Sequence, residues 1–519
     1  MLRPERLLQN LLPTPTSLTR GPAAVGLFLA GSALALASCT VGPDAPPPTE
    51  PPAANAMMAP AGRAIDTGAQ PSPRWWLALQ DPTLDALVAR AEEHNQSLAA
   101  AVASVRAAYA AVGASESALW PQIGAGASYS RTLTNIAQLA AAGVIVEPYD
   151  TYAYGVGLSA WEIDLWGSVR RQVEAARASA ESQVDLLRDA LVSVRSQVAA
   201  SYLQVRTLQQ QKSVLLANRD ALVKSRDLVK SRYESGVTGR LDLARAEAEL
   251  DGVEAQVPEV EAGLSSAVAT LAVLCGANPG EIAPLVSAPA ALPSAPDVAG
   301  VGLPEELLER RPDVRAARQR LLAATAAIGV AEAQHFPRLT VSGNFYIAAN
   351  GIDGLGDLAN KAYTIGPSLY LPLFTGGKVD SAVRQQRAEA EASLAQYRQA
   401  VLAAVGDVSA SAGDFAQAIE TRDRSEAALA SAREAFEIAD AQYRAGVTDF
   451  STLLDVQRAA LNAESGAVEA RAGVVQGYVA LQRALGAGWS AEDEMVASAE
   501  QPDGKKHGKK HEKKQEEKR

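Results

Sequence analysis

From Ser168 to Tyr233 the chain runs without a proline or glycine. Along it Leu187, Leu191, Val194, Val198, Tyr202, Val205 and Leu208 step by three or four residues, the spacing of a coiled-coil seam on one helix face. At 1.5 Å per residue such a helix reaches about 100 Å, longer than an ordinary compact domain holds. The feature occurs twice. Arg232-Tyr233-Glu234-Ser235-Gly236-Val237-Thr238 returns 210 residues on as Gln442-Tyr443-Arg444-Ala445-Gly446-Val447-Thr448, and Gly167 and Val169 meet Gly377 and Val379 at the same offset. The second long segment carries Leu394, Tyr397, Val401, Val405, Val408, Ala412 and Phe415, broken only by Gly406 and Gly413, each tolerable in a helix at about 1 kcal/mol.

Upstream, Trp120-Pro121 corresponds to Phe336-Pro337 at an offset of 216, so six extra residues lie between Pro121 and Gly167. There the period is 2. Ile123, Ala125, Ala127 and Tyr129 alternate with smaller or polar residues, as do Tyr152, Tyr154, Val156 and Leu158. Leu339, Val341, Phe345 and Ile347, then Tyr363, Ile365, Leu369 and Leu371, repeat the pattern. Strands are expected over about 122–131, 151–163, 338–347 and 362–374, with the insertion in the first hairpin's loop near Ala140 to Asp150. Shorter helices are expected after each Gly-Val-Thr turn, Leu241 to about Leu274 and Ser451 to about Leu485, and before each hairpin, Thr83 to Leu119 and Pro304 to about Gln334. The two repeats then span 75–275 and 304–489, joined by 276–303 and followed by a C-terminal segment, 490–519.

Four strands cannot close a barrel, and an open sheet in lipid leaves backbone groups without partners. Small closed barrels start at eight strands, so two or more copies are required; three would give twelve strands, but periodicity alone does not select three.

Of the 519 residues, 48 are Lys or Arg and 59 Asp or Glu, a net charge of −11 that argues against nucleic acid as a partner. The apolar content is 48% with aromatics at 5%, because alanine supplies so much of it, which suits closely packed helices. With four His and two Cys, no metal site, Ser-His-Asp triad, phosphate loop or Cys-x-x-Cys is legible. Arg3, Arg6 and Arg20 precede a small, apolar run from Gly21 to Ala37 that ends in Leu36-Ala37-Ser38-Cys39. That is an export signal over 1–38 with a lipobox-like end. It is expected to leave Cys39 as the mature N-terminus, carrying a covalent diacylglycerol and an N-acyl chain; an ordinary signal followed by a chance Cys is the plainer alternative. Cys275 then has no partner and reads as a buried apolar thiol. Residues 39–74 form the lipidated N-terminus and a Pro- and Ala-rich leash, and the basic tail from Lys505 to Arg519 reads as a solvated charge run.

These residues resemble the outer membrane factor family, the TolC-like exit ducts of tripartite efflux and secretion systems, and within it the lipoprotein branch typified by OprM and NodT. The matching pieces, in order, are Cys39-Thr-Val-Gly-Pro-Asp44; Trp75-Trp76 with Asp81-Pro82-Thr83-Leu84; Glu162-Ile-Asp-Leu-Trp-Gly167; Leu303-Pro304 with Leu307-Leu308-Glu-Arg-Arg-Pro-Asp-Val314; Ile328-Gly-Val-Ala331; Leu371-Pro-Leu-Phe-Thr-Gly-Gly377; and Leu453-Leu-Asp-Val-Gln457. The chain departs at Ala45, where that branch usually has Tyr, and in its basic tail.

The resemblance implies a mainly α fold with a membrane β-barrel contribution. Two tandem repeats, each helix, β-hairpin, long helix and helix, would trimerise into a twelve-stranded barrel and a periplasmic α-helical barrel. It implies no enzyme activity and no cofactor beyond the lipid on Cys39. The implied location is the outer membrane, with multidrug efflux among the family's roles, and the implied partners are two further copies, outer membrane lipid, a periplasmic adaptor and an inner-membrane transporter of the RND type. It implies adaptor contact at Gly236, Val237, Thr238, Gly446 and Val447, although both glycines are equally readable as helix caps. It implies a periplasmic gate in which Asp455 lines the constriction, Ser451 or Thr452 stands one turn earlier, and Asp242 and Tyr443 belong to the closing network. Asp455 is also readable as a solvated acid near a helix N-terminus. The network's basic member falls on Thr448, with Arg240 or Arg444 as substitutes. Two other readings stay open: a structural periplasmic coiled-coil lipoprotein, which leaves the strands unexplained, and a lipoprotein enzyme, which lacks a catalytic constellation.

Overall fold

The computed structural model describes residues 40–44, 64–133, 147–302 and 309–490. Cys39, the first hairpin's tip, Leu303 to Leu308 and the basic tail lie outside these residues. In chain order come β1 (Ile65–Asp66), a 3-10 turn (Trp75–Leu79), α1 (Pro82–His94), α2 (Gln96–Ser117), β2 (Ile123–Thr132), β3 (Tyr149–Ile163) and α3 (Ser168–Glu234). Then follow α4 (Arg240–Leu274), α5 (Pro279–Val286), β4 (Ala299–Gly300), α6 (Pro312–Ala333), β5 (Arg338–Ala349), β6 (Lys361–Tyr370), α7 (Lys378–Arg444) and α8 (Phe450–Ala484). Both α3 and α7 have 67 residues, and both α4 and α8 have 35. The chain divides into two compact units, one of residues 1–43, 116–172 and 329–383, the other of 44–115, 173–328 and 384–519.

The first unit is built on an antiparallel sheet in the order β2-β3-β5-β6. Its register sets Ile123 beside Leu158, Val156 beside Phe345 and Phe345 beside Tyr363, so the large apolar residues of all four strands share one face. Gly124, Gly126, Ser128, Thr340, Ser342, Asn344, Thr364 and Ser368 alternate onto the other. Ile123, Tyr129, Phe345, Tyr363, Ile365 and Leu369 are exposed, as are most of the smaller residues opposite, while Ile347 is buried and Thr340 half-buried, so both faces are largely uncovered within the chain. β6 ends at Tyr370 and does not run to 374, because Pro372 has no N–H to continue a ladder.

In the second unit the seam residues Val194, Val198, Tyr202 and Val205 of α3 and Val408, Ala412 and Phe415 of α7 are buried together with Trp75, Trp76, Leu84, Leu271, Tyr478 and Leu485. Asp81 caps α1 through the Thr83 and Leu84 amides and accepts the Tyr202 hydroxyl at 2.5 Å; Arg206 in turn donates to that hydroxyl at 2.8 Å. Burial pushes the Tyr202 phenol up to about 12. Cys275 is buried with its thiol raised to about 11, also by burial.

The helix expected over Thr83 to Leu119 is divided. Buried Asn95 leaves helical geometry, its side-chain oxygen accepts the Ser97 and Leu98 amides, and its Nδ2 donates to the Leu274 carbonyl at 2.8 Å. A local cap thus outcompetes continuation. Likewise the second expected helix is interrupted at Arg311: Glu309 and Arg310 are helical and α6 begins at Pro312, but Arg311 precedes a proline and is held out of the helix by Asp313, Asp407 and the Ala484 carbonyl. The leash is tied at both ends: Val41 bonds to Trp166, and β1 pairs in parallel with β4.

Asn95→Ala removes both caps and the Leu274 bond, a loss of about 1–3 kcal/mol. The melting temperature followed by helical circular dichroism should fall, and fall less in Asn95→Asp, which keeps the caps.

Candidate functional site

The ends of α3 and α7 are built alike. Gly236 and Gly446 adopt φ of +74° and +77°, the left-handed region open to glycine. The Gly236 amide donates to the Tyr233 carbonyl and the Val237 amide to that of Arg232; Gly446 and Val447 do the same to Tyr443 and Gln442. Each is a Schellman cap that satisfies the last helical carbonyls and reverses the chain. The valine that follows usually packs against its own helix in this motif, yet Val237 and Val447 are 72% and 75% exposed. The two reversals therefore present small apolar knobs, with Leu241 exposed beside the first.

Behind the knobs Tyr443, Phe450, Leu453 and Leu454 pack with Val229, Leu243, Ala246 and Ala439. This joins the two turns within the chain. Arg232 lies with its guanidinium carbon 4.5 Å from the centre of the Tyr443 ring, and donates to the carbonyls of Tyr443 and Arg444 at 3.2 and 3.1 Å. A cation there meets the negative end of α7 as well as the ring face. Burial raises the Tyr443 phenol above the usual tyrosine value, with Arg232 pulling it down and Asp242 adding to the rise.

Tyr443, Asp242 and Thr238 are thus brought together, Asp242 accepting the Thr238 hydroxyl and standing 3.9 Å from Arg245. Thr448 is half-buried, and the two candidate substitutes turn elsewhere within the chain: Arg240 pairs with Glu247 at 3.3 Å and Arg444 with Asp440 at 2.9 Å. The base that meets Tyr443 is Arg232, which sequence reasoning missed. Its signal was present in the repeat, where Arg232 faces a neutral Gln442 at the matching position. Also missed were Asp449, whose carboxylate accepts the Thr452 amide and Ser451 hydroxyl, and the Glu249 to Arg458 pair that bridges α4 and α8. Asp455 is exposed, 3.9 Å from Arg458.

The sequence matches the family described as outer membrane efflux protein over residues 87–277 and again over 303–487. The chain belongs to that family. It is 32% identical over 431 residues to the pyoverdine export outer membrane protein OpmQ of Pseudomonas aeruginosa, covering 82% of this chain and 89% of that protein. To the nodulation protein T of Rhizobium leguminosarum bv. viciae it is 28% identical, covering 88% and 92%. The solved outer-membrane channel OprN superposes with a TM-score of 0.80 at 34% identity, over 87% of this chain and all of that one. Both matched segments of this outer membrane efflux protein contain one of the Gly-Val-Thr reversals, so the turns are part of the family's frame.

The two turns differ in how their next helix begins. Gly239 caps α4 without a side chain, whereas hydrogen bonds from Thr452 and Ser451 hold the Asp449 carboxyl below its ordinary value. A value depressed by folding gives a contribution that is full above the ordinary carboxylate range and lost as pH falls through the folded value. Amide exchange protection of Thr452 should therefore drop between pH 5 and pH 2, while the first turn of α4 changes less.

Proposed function

We propose that this chain is the outer membrane exit duct of a tripartite efflux or secretion system, a homotrimer that passes cargo from an inner-membrane pump and a periplasmic adaptor to the exterior without covalent chemistry. The observation that carries the reading is the sheet: two-faced, largely uncovered on both sides, and with free edges at β2 and β6. In hydrocarbon those edges leave N–H and C=O groups unmet, at several kcal/mol each, until another copy pairs with them. Three copies give a twelve-stranded barrel with the apolar face to lipid and the Gly, Ser, Thr and Asn face to the lumen. The Ala-rich helix α2 supports the same reading, since it is apolar by composition yet buries few of its side chains within one chain.

The repeat also supplies the register between copies. Within the chain, Trp161 of β3 pairs with Val341 of β5. By the offsets of 210 and 216 the equivalent residues are Leu371 and Ala125, so the end of one copy's β6 meets the start of the next copy's β2. Leu371, Leu373 and Phe374 are exposed on one side of this joint, Trp120 and Ile123 on the other.

At the periplasmic end the Val237 and Val447 knobs, with Gly236, Thr238 and Gly446, are the surface for the adaptor's helical hairpins. Asp455 forms the constricting ring, and Asp242, Tyr443, Ser451, Thr452 and Thr448 line or close it, with Arg232 supplying the base. Cys39 carries the lipid that anchors the chain. The relative OpmQ is named for pyoverdine export and nodulation protein T for nodulation.

A chain bearing Leu371→Cys and Ala125→Cys should form a disulfide between copies, migrating as dimer and trimer, and Leu371→Cys with Tyr129→Cys should not. No cross-link with either pair, together with monomers after mild extraction, refutes the trimeric barrel. Asp455→Ala should raise single-channel conductance in planar bilayers at least twofold and weaken cation preference; unchanged values remove Asp455 from the gate.

A further inference from the structure

The segment directly after Cys39 is seated in a slot of the first unit. The Val41 amide donates to the Trp166 carbonyl at 3.1 Å. Arg171, 7% exposed, donates to the carbonyls of Val41 and Gly42 at 3.2 and 3.3 Å. Glycines make the fit possible. A Cβ on Gly42, whose φ is +107°, would lie 2.4 Å from the Gly329 Cα; one on Gly329 would lie 2.6 Å from the Val41 carbonyl oxygen. At Gly167, with φ +81°, it would lie 2.7 Å from the Thr40 methyl. These distances are below any normal contact, so the slot accepts the N-terminal chain only because three separate segments carry glycine there.

The slot sits among aromatic residues that mark one end of the sheet. Trp166 stacks on Phe336 at 4.7 Å and donates to the Pro337 carbonyl, and Trp161 donates to the Leu119 carbonyl. Trp120 precedes β2 at 72% exposure and Phe374 follows β6 at 91%. Each strand thus carries an aromatic residue at the end where it meets a helix, the position such residues take at a membrane interface.

We propose that Trp166, Gly167, Arg171 and Gly329 form a seat for the acylated N-terminus. Resting on the reading of Cys39 as the lipid anchor, this seat holds the lipid at the aromatic end of the sheet and so fixes the height at which the open edges of separate copies meet. The glycerol of a diacylglycerol thioether belongs at the interface, and its acyl chains then run beside the apolar face of the sheet. Copies held at one height and one tilt present β2 and β6 to each other in register, which raises the effective concentration for pairing. A loose tether does not: ten flexible residues spread over about 17 Å, more than half of the roughly 30 Å hydrocarbon thickness.

The test compares the full chain with three variants: Cys39→Ser, a ten-residue Ser/Gly insertion between Cys39 and Thr40, and Gly329→Leu. Fatty-acid labelling and the fraction of heat-resistant oligomer in the outer membrane are measured for each, with the helical melting temperature reporting the fold of the second unit. The insertion keeps every seat residue and the acylated Cys, so it separates position from attachment. Expected are parent-level labelling and at least a threefold loss of oligomer in the insertion and Gly329→Leu variants, approaching Cys39→Ser. Parent-level oligomer in the insertion variant, or in an unlabelled Cys39→Ser, overturns the seat. Persistent labelling of Cys39→Ser overturns the lipid reading itself, a distinct result.

Discussion

The free edges of the four-stranded sheet are the constraint on which the rest depends. Backbone groups at β2 and β6 can be met by water or by another strand, and a sheet with an apolar face of Ile123, Val156, Phe345 and Ile365 is poorly suited to water. The chain contains no further strand of useful length among the described residues, only the two-residue β1 and β4 that pair with each other. Hydrogen bonding and the hydrophobic effect therefore make the same demand, a strand from outside the chain, which the proposed trimer meets by pairing β6 of one copy with β2 of the next. The alternation that makes the sheet two-faced is what would fit it, in the proposed barrel, to a boundary between lipid and a polar lumen.

The helices answer a different problem. Two 67-residue helices cannot bury their length within a thick core, so their seams pack along successive shorter helices through Ala, Val and Leu, and the few large buried rings gather around Trp75, Tyr202, Phe415 and Tyr478. Where such a helix ends, four carbonyls need partners. The Schellman turns at Gly236 and Gly446 satisfy two at each end, and at the end of α7 Arg232 adds one more, the Arg444 carbonyl, while sharing that of Tyr443. The adaptor contact proposed at the turns would use what capping leaves over, namely the exposed Val237 and Val447.

The long helices, the hairpins and the two turns were legible because each rests on periodicity or on a glycine repeated at a fixed offset. The interruptions were not. Asn95 breaks a helix through a side-chain cap and a bond to Leu274, 179 residues away, and no local pattern announces that partner. The place of Arg232 depends on which helix end lies beside it, so the family resemblance, with its basic member falling on Thr448, pointed instead to Arg240 and Arg444, which have carboxylates on their own helices. Cys39-Thr-Val-Gly-Pro-Asp44 was visible as a motif, but the reason for Gly42 appears only when Gly167 and Gly329 arrive beside it from elsewhere in the chain. The proposed membrane depth and gate are legible only as family resemblance, since both would depend on atoms from other copies.

The repeat is imperfect in a way that bears on opening. Within the chain the two turns are joined by Arg232 against Tyr443 and by Glu249 with Arg458. At the matching positions, where one copy would face the next, stand Gln442, Ala459 and Ala248, with Thr452 in place of Asp242. An ion pair or cation on a ring at a partly buried site contributes on the order of 0.5–1 kcal/mol each, so in the proposed trimer each junction between copies would be weaker than the junction within a chain by about 1–2 kcal/mol. If the tunnel's end opens by separating coils, it should part where the alanines are, between copies, with each chain's two turns moving as one body. The duplicated unit thus lost its symmetry at the residues where a symmetric ring would have no preferred seam.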